Sequence, residues 1–116
     1  MSRNLLEKIL DDIQITTNKN LLIEFLCSYK LNEYIYPSVI SRKFKLPNEE
    51  IYKILTELEK SKIIKMYYEI YCLNCNHSNA LVPFYNKIFD YTECDSCSEK
   101  LTVENVKVVY KVINNE

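Results

Sequence analysis

The feature that most constrains this chain is a pair of CxxC motifs in its second half. Cys72-Leu-Asn-Cys75 and Cys94-Asp-Ser-Cys97 flank eighteen intervening residues. That spacing is the one four-cysteine zinc sites use. Two thiolates three residues apart reach one ion from a single tight turn. Two such turns supply the four ligands that Zn2+ takes tetrahedrally. Four thiolates also fill the coordination sphere and leave no position for water. The expected site, Cys72, Cys75, Cys94 and Cys97 around one Zn2+, is therefore structural and not catalytic. Its binding energy substitutes for the apolar core that so short a segment lacks.

Two disulfides and a redox CxxC are the competing readings. The opening MSRNLLEKILDD carries acids where an export signal would be apolar. This points to a reducing, cytoplasmic setting, in which disulfides are rare. No apolar run approaches the roughly 20 residues needed to span a bilayer, so no membrane is expected. His77, the only histidine, is either a substitute for one thiolate or, more simply, a surface residue beside the site. Cys27 lies on the apolar stripe of a helix and reads as a buried thiol packing as a small hydrophobe.

The chain contains no glycine, which excludes a Gly-rich phosphate loop. Zinc knuckles often place Gly after their second cysteine, where positive φ is favoured. Here Asn76 and Ser98 hold those places. Asn tolerates the left-handed region and Ser less so, so the second knuckle is expected to differ in detail. Residues 81–85 and 87–92 read as short strands, and 102–113 as a long strand rich in β-branched residues.

Before residue 70 the apolar spacing is helical. Over 3–14, Leu5, Leu6, Ile9, Leu10 and Ile13 share a face. Thr16, Thr17 and Asn18 offer a cap for the next helix. That helix, 19–31, carries Leu21, Leu22, Phe25, Leu26 and Tyr29 on one stripe. Residues 33–36 suit a small strand, and Pro37 suits the first turn of a short helix, PSVISRKF. Leu46-Pro47 stops that helix. Residues 48–60 form a longer one, with Ile51, Ile54, Leu55 and Leu58 inward and Glu49 and Glu50 in its first turn. Residues 63–71 read as a strand.

Helix, short strand, short helix, turn, longer helix, strand: this order resembles a winged helix, with PSVISRKFKLPNEEIYKILTELEKSKIIKMY as its helix-turn-helix and following strand. Knuckle, strands, knuckle, strand over 70–113 resembles a zinc ribbon. The expected class is α+β, with an N-terminal helix (1–17), a winged helix-turn-helix (18–70) and a four-cysteine zinc ribbon with a C-terminal strand (71–116). The pairing is similar, in order and in the knuckles Cys72/Cys75 and Cys94/Cys97, to the alpha subunit of the archaeal and eukaryotic general transcription factor E. That resemblance implies a non-catalytic factor that binds RNA polymerase and helps open promoter DNA.

Charge bears on the partner. A net charge of −1 argues against a chain held to nucleic acid by bulk charge alone. By position 48–60 is the recognition helix, with Asn48, Glu49, Tyr52, Lys53, Thr56, Glu57 and Lys60 outward. Two lysines face four glutamates there, which weighs against insertion into a groove lined by phosphates. Arg42, Lys43, Lys45, Lys53 and Lys62 are the candidate nucleic-acid contacts, a solvated face being the alternative. Ten tyrosines suit stacking on single strands, a protein-contact face or simply half-buried strands. No nucleophile–base pair or paired carboxylates point to an enzyme, and no small-molecule substrate is expected. The leading expectation is an adaptor or accessory subunit of a nucleic-acid-associated assembly, with a larger protein partner and homodimerisation through 3–14 as an option. The alternative is a sequence-specific DNA-binding regulator.

Overall fold

The structure, a computed structural model, describes residues 1–15 and 18–114. Among these residues the order is α1 (Arg3–Asp12), α2 (Lys19–Cys27), β1 (Tyr34–Ile35), α3 (Pro37–Phe44), α4 (Asn48–Lys60), β2 (Ile64–Tyr71), β3 (Ser78–Val82) and β4 (Val106–Val112), with 3-10 turns at Tyr85–Asp90 and Val103–Asn105. The class is the expected α+β. The strands run in the order β1-β4-β2-β3, with β1/β4 and β2/β3 antiparallel. The chain divides into two compact units, Met1–Lys65 with Tyr110–Glu116, and Met66–Val109. β2 and β4 each run from one unit into the other. No helix among the described residues is long and apolar enough to cross a membrane.

The first unit is helical. Ser2 caps α1, its hydroxyl accepting from Leu5 N at 3.4 Å. Leu6, Ile9 and Leu10 are buried where α1 packs on α2 and α4. The expected cap at Thr16 and Thr17 lies outside the described residues. Asn18, the third of the expected caps, fills the role, its Oδ1 accepting from Leu21 N at 3.2 Å. On α2 the buried residues are Leu22, Ile23 and Leu26, and Leu21 is 55% exposed. Residues two apart on a helix do not share a face, so burying Ile23 turns Leu21 outward. Cys27 is half-buried, not fully buried as expected.

Pro37 opens α3, as its fixed φ favours. Lys45 ends it at φ 54°, its N–H donating to Ser41 O at 2.9 Å. On α4, Ile51, Ile54, Leu55 and Leu58 are all buried, the expected stripe. β1 pairs with the end of β4, Tyr34 opposite Lys111 and Ile35 opposite Tyr110.

In the second unit β2 runs directly into Cys72, and β3 returns from the first knuckle with Ile70 opposite Ala80 and Tyr71 opposite Ser78. The expected strands at 81–85 and 87–92 are not formed. β3 ends at Val82, and 85–90 is a 3-10 turn. Pro83 has no N–H to continue a ladder. A strand through 87–92 would also place Asp90 on the inward face with Ile88. The turn buries Ile88 and leaves Asp90 exposed. The last strand begins at Val106, not 102, because Thr102 caps a 3-10 turn: its Oγ1 accepts from Glu104 N at 3.3 Å and its N–H donates to Asn105 Oδ1 at 2.9 Å. The unit's buried cluster is Ile70, Cys72, Val82, Ile88, Cys94 and Leu101.

Candidate metal centre

Each cysteine pair sits on a turn of one design. Cys72 N–H donates to His77 O at 2.9 Å, and Asn76 N–H donates back to Cys72 O at 2.9 Å. In the second turn Cys94 N–H donates to Glu99 O at 2.8 Å, and Ser98 N–H to Cys94 O at 2.9 Å. Asn76 and Ser98 take φ of 61° and 62°. The second knuckle was expected to differ because Ser resists this region. It does not differ, since the paired hydrogen bonds and the four-sulfur cluster hold Ser98 where a Gly would rest. In each turn the first cysteine is buried and the second only half-buried.

These turns bring together all four predicted ligands. Their sulfur atoms lie within 4.8 Å of one another. Cys72 Sγ is 3.6 Å from Cys97 Sγ, and Cys75 Sγ is 3.6 Å from Cys94 Sγ. A disulfide needs about 2.05 Å, and all the cysteines are free, so the disulfide reading falls. Four sulfurs each about 2.3 Å from a tetrahedrally held ion would be about 3.8 Å apart. The two 3.6 Å separations lie close to that figure. Cys72, Cys75, Cys94 and Cys97 thus form a candidate metal site, consistent with one structural metal.

Amide groups point at these sulfurs. Asn74 Nδ2 donates to Cys97 Sγ at 3.5 Å, Asn79 Nδ2 to Cys94 Sγ at 3.6 Å and Ser96 N–H to Cys94 Sγ at 3.4 Å. Asn79 is itself held, its Oδ1 accepting from Asp95 N at 2.8 Å. The sulfurs therefore hold their protons unevenly. Burial, with hydrogen bonds to the Cys94 and Cys97 sulfurs, pushes Cys75 up to about 12. At Cys94 burial opposes ionisation, but the N–H groups of Cys97 and Ser96, the Asn79 amide and the Cys75 thiol outweigh it and bring the thiol down to about 6. The Asn74 amide, with Glu99 N–H, lowers Cys97. At Cys94 and Cys97 these donors favour the thiolate, the form that binds metal.

The His77 side chain is exposed and outside the cluster. Sequence reasoning missed Asn74 and Asn79. Asn74 stands inside the first CxxC, which is a signal of a kind. Asn79 has none, since it reaches a cysteine fifteen residues away. Glu69, buried on β2, was also missed. Its carboxylate accepts from Ser78 Oγ at 3.0 Å across the hairpin.

The candidate nucleic-acid contacts are dispersed over the first unit. Arg42 and Lys43 are exposed in the last turn of α3. Lys43 and Lys45 line one open cavity of about 580 Å³ with Leu21, Glu24, Phe25, Ser28 and Phe44, where Lys43 Nζ sits 4.8 Å from the Phe25 ring centroid. Lys53 is exposed on α4 and pairs with Glu49 at 3.4 Å. Lys62 is exposed in the turn after α4 at φ 61°. No protein-family model matches this chain, nor does any curated protein or solved structure.

Proposed function

We propose that this chain is a non-catalytic winged-helix and zinc-ribbon binding module, an adaptor or accessory subunit that docks on a larger nucleic-acid-associated assembly of the transcription type. Zn2+ is the ion the donor set favours, because four soft thiolates in a closed tetrahedron suit it over the oxygen-seeking cations. When bound, it supplies a cross-link between the two knuckles and no open position for chemistry. Free thiols on both knuckles accord with a reducing, cytoplasmic setting. The succession α2, β1, α3, α4, β2, with α3 packed on α4, supports the winged-helix reading and the class implied by the likeness to the transcription factor E alpha subunit.

The observation that carries adaptor over DNA reader is the outer face of α4. Its only basic residues are Lys53 and Lys60, and each pairs with a glutamate of the same helix, Glu49 at 3.4 Å and Glu57 at 3.3 Å. Such exposed pairs add little stability; the surplus of acids around the two lysines is what weighs. Four glutamates against two lysines over 48–60 would meet a major groove with the wrong sign.

The test uses the zinc-loaded full chain. Co-purification with a large nucleic-acid-associated assembly from native extract, with no retardation of duplex DNA at low salt, is the expected result. A mobility shift at low salt that collapses as salt rises overturns it in favour of a DNA-binding regulator.

A further inference from the structure

We infer that the groove between α2 and the end of α3 docks an acidic, amphipathic segment of a partner protein; the inference deepens the adaptor reading and rests on it for the partner's existence. The floor of the groove is apolar, lined by Leu21 and Phe25 of α2 and Phe44 of α3. The Phe25 and Phe44 ring centroids are 5.5 Å apart. Leu21 is 55% exposed, turned outward because α2 buries Ile23. The groove is open and holds about 580 Å³. Small-molecule sites bury roughly 70–90% of a ligand's surface, which an open groove does not. The apolar face of a peptide segment needs covering on one side only, and an open groove supplies that. Single exposed hydrophobic residues need no explanation, whereas a joined group of them along a groove marks an interaction site.

Charge selects the occupant. Lys43 and Lys45 line the groove itself and Arg42 adjoins them, against one lining acid, Glu24, among the described residues. Chain neighbours do not cancel that excess. From Tyr34 to Asn48 the sequence holds these three cations and no Asp or Glu. The dipole of α3 favours cations in its last turn, which accounts for Arg42 and Lys43 but not for the apolar floor beside them. Lys43 joins the two features. Its Nζ stands 4.8 Å from the Phe25 ring centroid, so a carboxylate that reaches it brings the neighbouring side chains of its own segment onto the floor. Nucleic acid fits the groove poorly. Stacking needs an open ring face. Phe25 meets Phe44 and Tyr29 at 63° and 84°, with Lys43 over its ring, and Leu21 has no ring to offer. A polyanion tracking on from Lys45 also meets Glu49 and Glu50 in the first turn of α4, which a short acidic segment need not reach.

The test selects binders from a displayed random-peptide library against the zinc-loaded full chain. Lys43→Glu and Leu21→Ala, both at exposed positions, serve as variants, with the far-UV helical signal checked to show that each remains folded. The expected result is enrichment of peptides with net negative charge and a large apolar residue. Their affinity should fall about tenfold or more on Lys43→Glu and about fivefold or more on Leu21→Ala. No enrichment, enrichment of basic or uncharged peptides, or affinity unmoved by either substitution overturns the inference. Oligo(dT) binding lost on Lys43→Glu also overturns it and gives the groove to nucleic acid. Concentration-dependent dimerisation lost on Leu21→Ala overturns it in favour of a second copy. If the doubly substituted chain co-purifies with the native assembly as the unaltered chain does, the groove is wrong and the adaptor reading stands. If acidic peptides bind as expected but no assembly co-purifies, the reverse holds.

Discussion

The first unit closes around aliphatic side chains delivered by four helices. Leu6, Leu22, Ile23, Leu26, Leu55 and Leu58 are all fully buried. The second closes around six buried residues, two of them cysteines. Regular apolar spacing lets α1, α2 and α4 exclude water from one another, and each buried side chain adds about 1.5–3 kcal/mol. Residues 66–109 have short strands, two 3-10 turns and too little apolar surface to do the same. The contrast teaches that four sulfurs at one point can stand in for a core when the sequence between them cannot form one.

Removing the metal should separate the two units most sharply. Structural zinc sites contribute apparent binding energies of about 10–16 kcal/mol at neutral pH, as large as the whole stability of a domain. Chelation, or Cys94→Ser, should abolish amide protection at Cys72, Asn76, Cys94 and Ser98 while the far-UV helical signal of the first unit persists. Loss of the helical signal at the same chelator concentration would show that the units do not stand apart.

The converse perturbation is smaller. Leu55→Ala removes a fully buried side chain from α4 and should destabilise the helical unit by about 2–5 kcal/mol in urea unfolding. Metal affinity, measured by competition with a chelating dye, should stay within twofold. A parallel loss of affinity would break the comparison.

How much of this was legible in the sequence follows the same division. The buried stripe of α4 and its bounds at 48–60 were readable because helical period is a local property of the chain. The four ligands were readable because two CxxC turns have a fixed geometry. The 3-10 turn at 85–90 was not: aromatic and β-branched composition suggests strands, but a strand needs a partner, and no composition names one. Nor was the return of β4 to the first unit, where Tyr110 pairs with Ile35 across most of the chain. The orientation of α2 was misread because both Leu21 and Ile23 are apolar, and only packing chooses between them.

The amides around the sulfurs offer a finer test of the second unit. Asn79 is half-buried and spans Cys94 Sγ and Asp95 N, whereas Asn74 is exposed and donates to Cys97 Sγ. Asn79→Ala should weaken metal affinity about 10- to 100-fold, the usual effect of removing a group that orients a ligand. Asn74→Ala should do less. Equal effects, read by the same dye competition, would mean that burial of the amide does not matter.

The smallest effect compares the two knuckles with each other. Their hydrogen bonds agree to within 0.1 Å and their left-handed residues share φ near 60°, yet one turn uses Asn and the other Ser. The left-handed region costs an ordinary L-residue about 1–2 kcal/mol, and Asn visits it more readily. Glycine removes that strain but adds about 0.4–1 kcal/mol of unfolded-state entropy to be overcome. The balance for Ser98→Gly is a gain of about 0.5–1 kcal/mol, visible as a rise in the thermal midpoint of the metal-loaded chain. For Asn76→Gly the two effects nearly cancel, and the midpoint should not move. A larger gain at Asn76 than at Ser98 would place the strain in the first knuckle, and the equivalence of the two turns would then be one of shape without equivalence of energy.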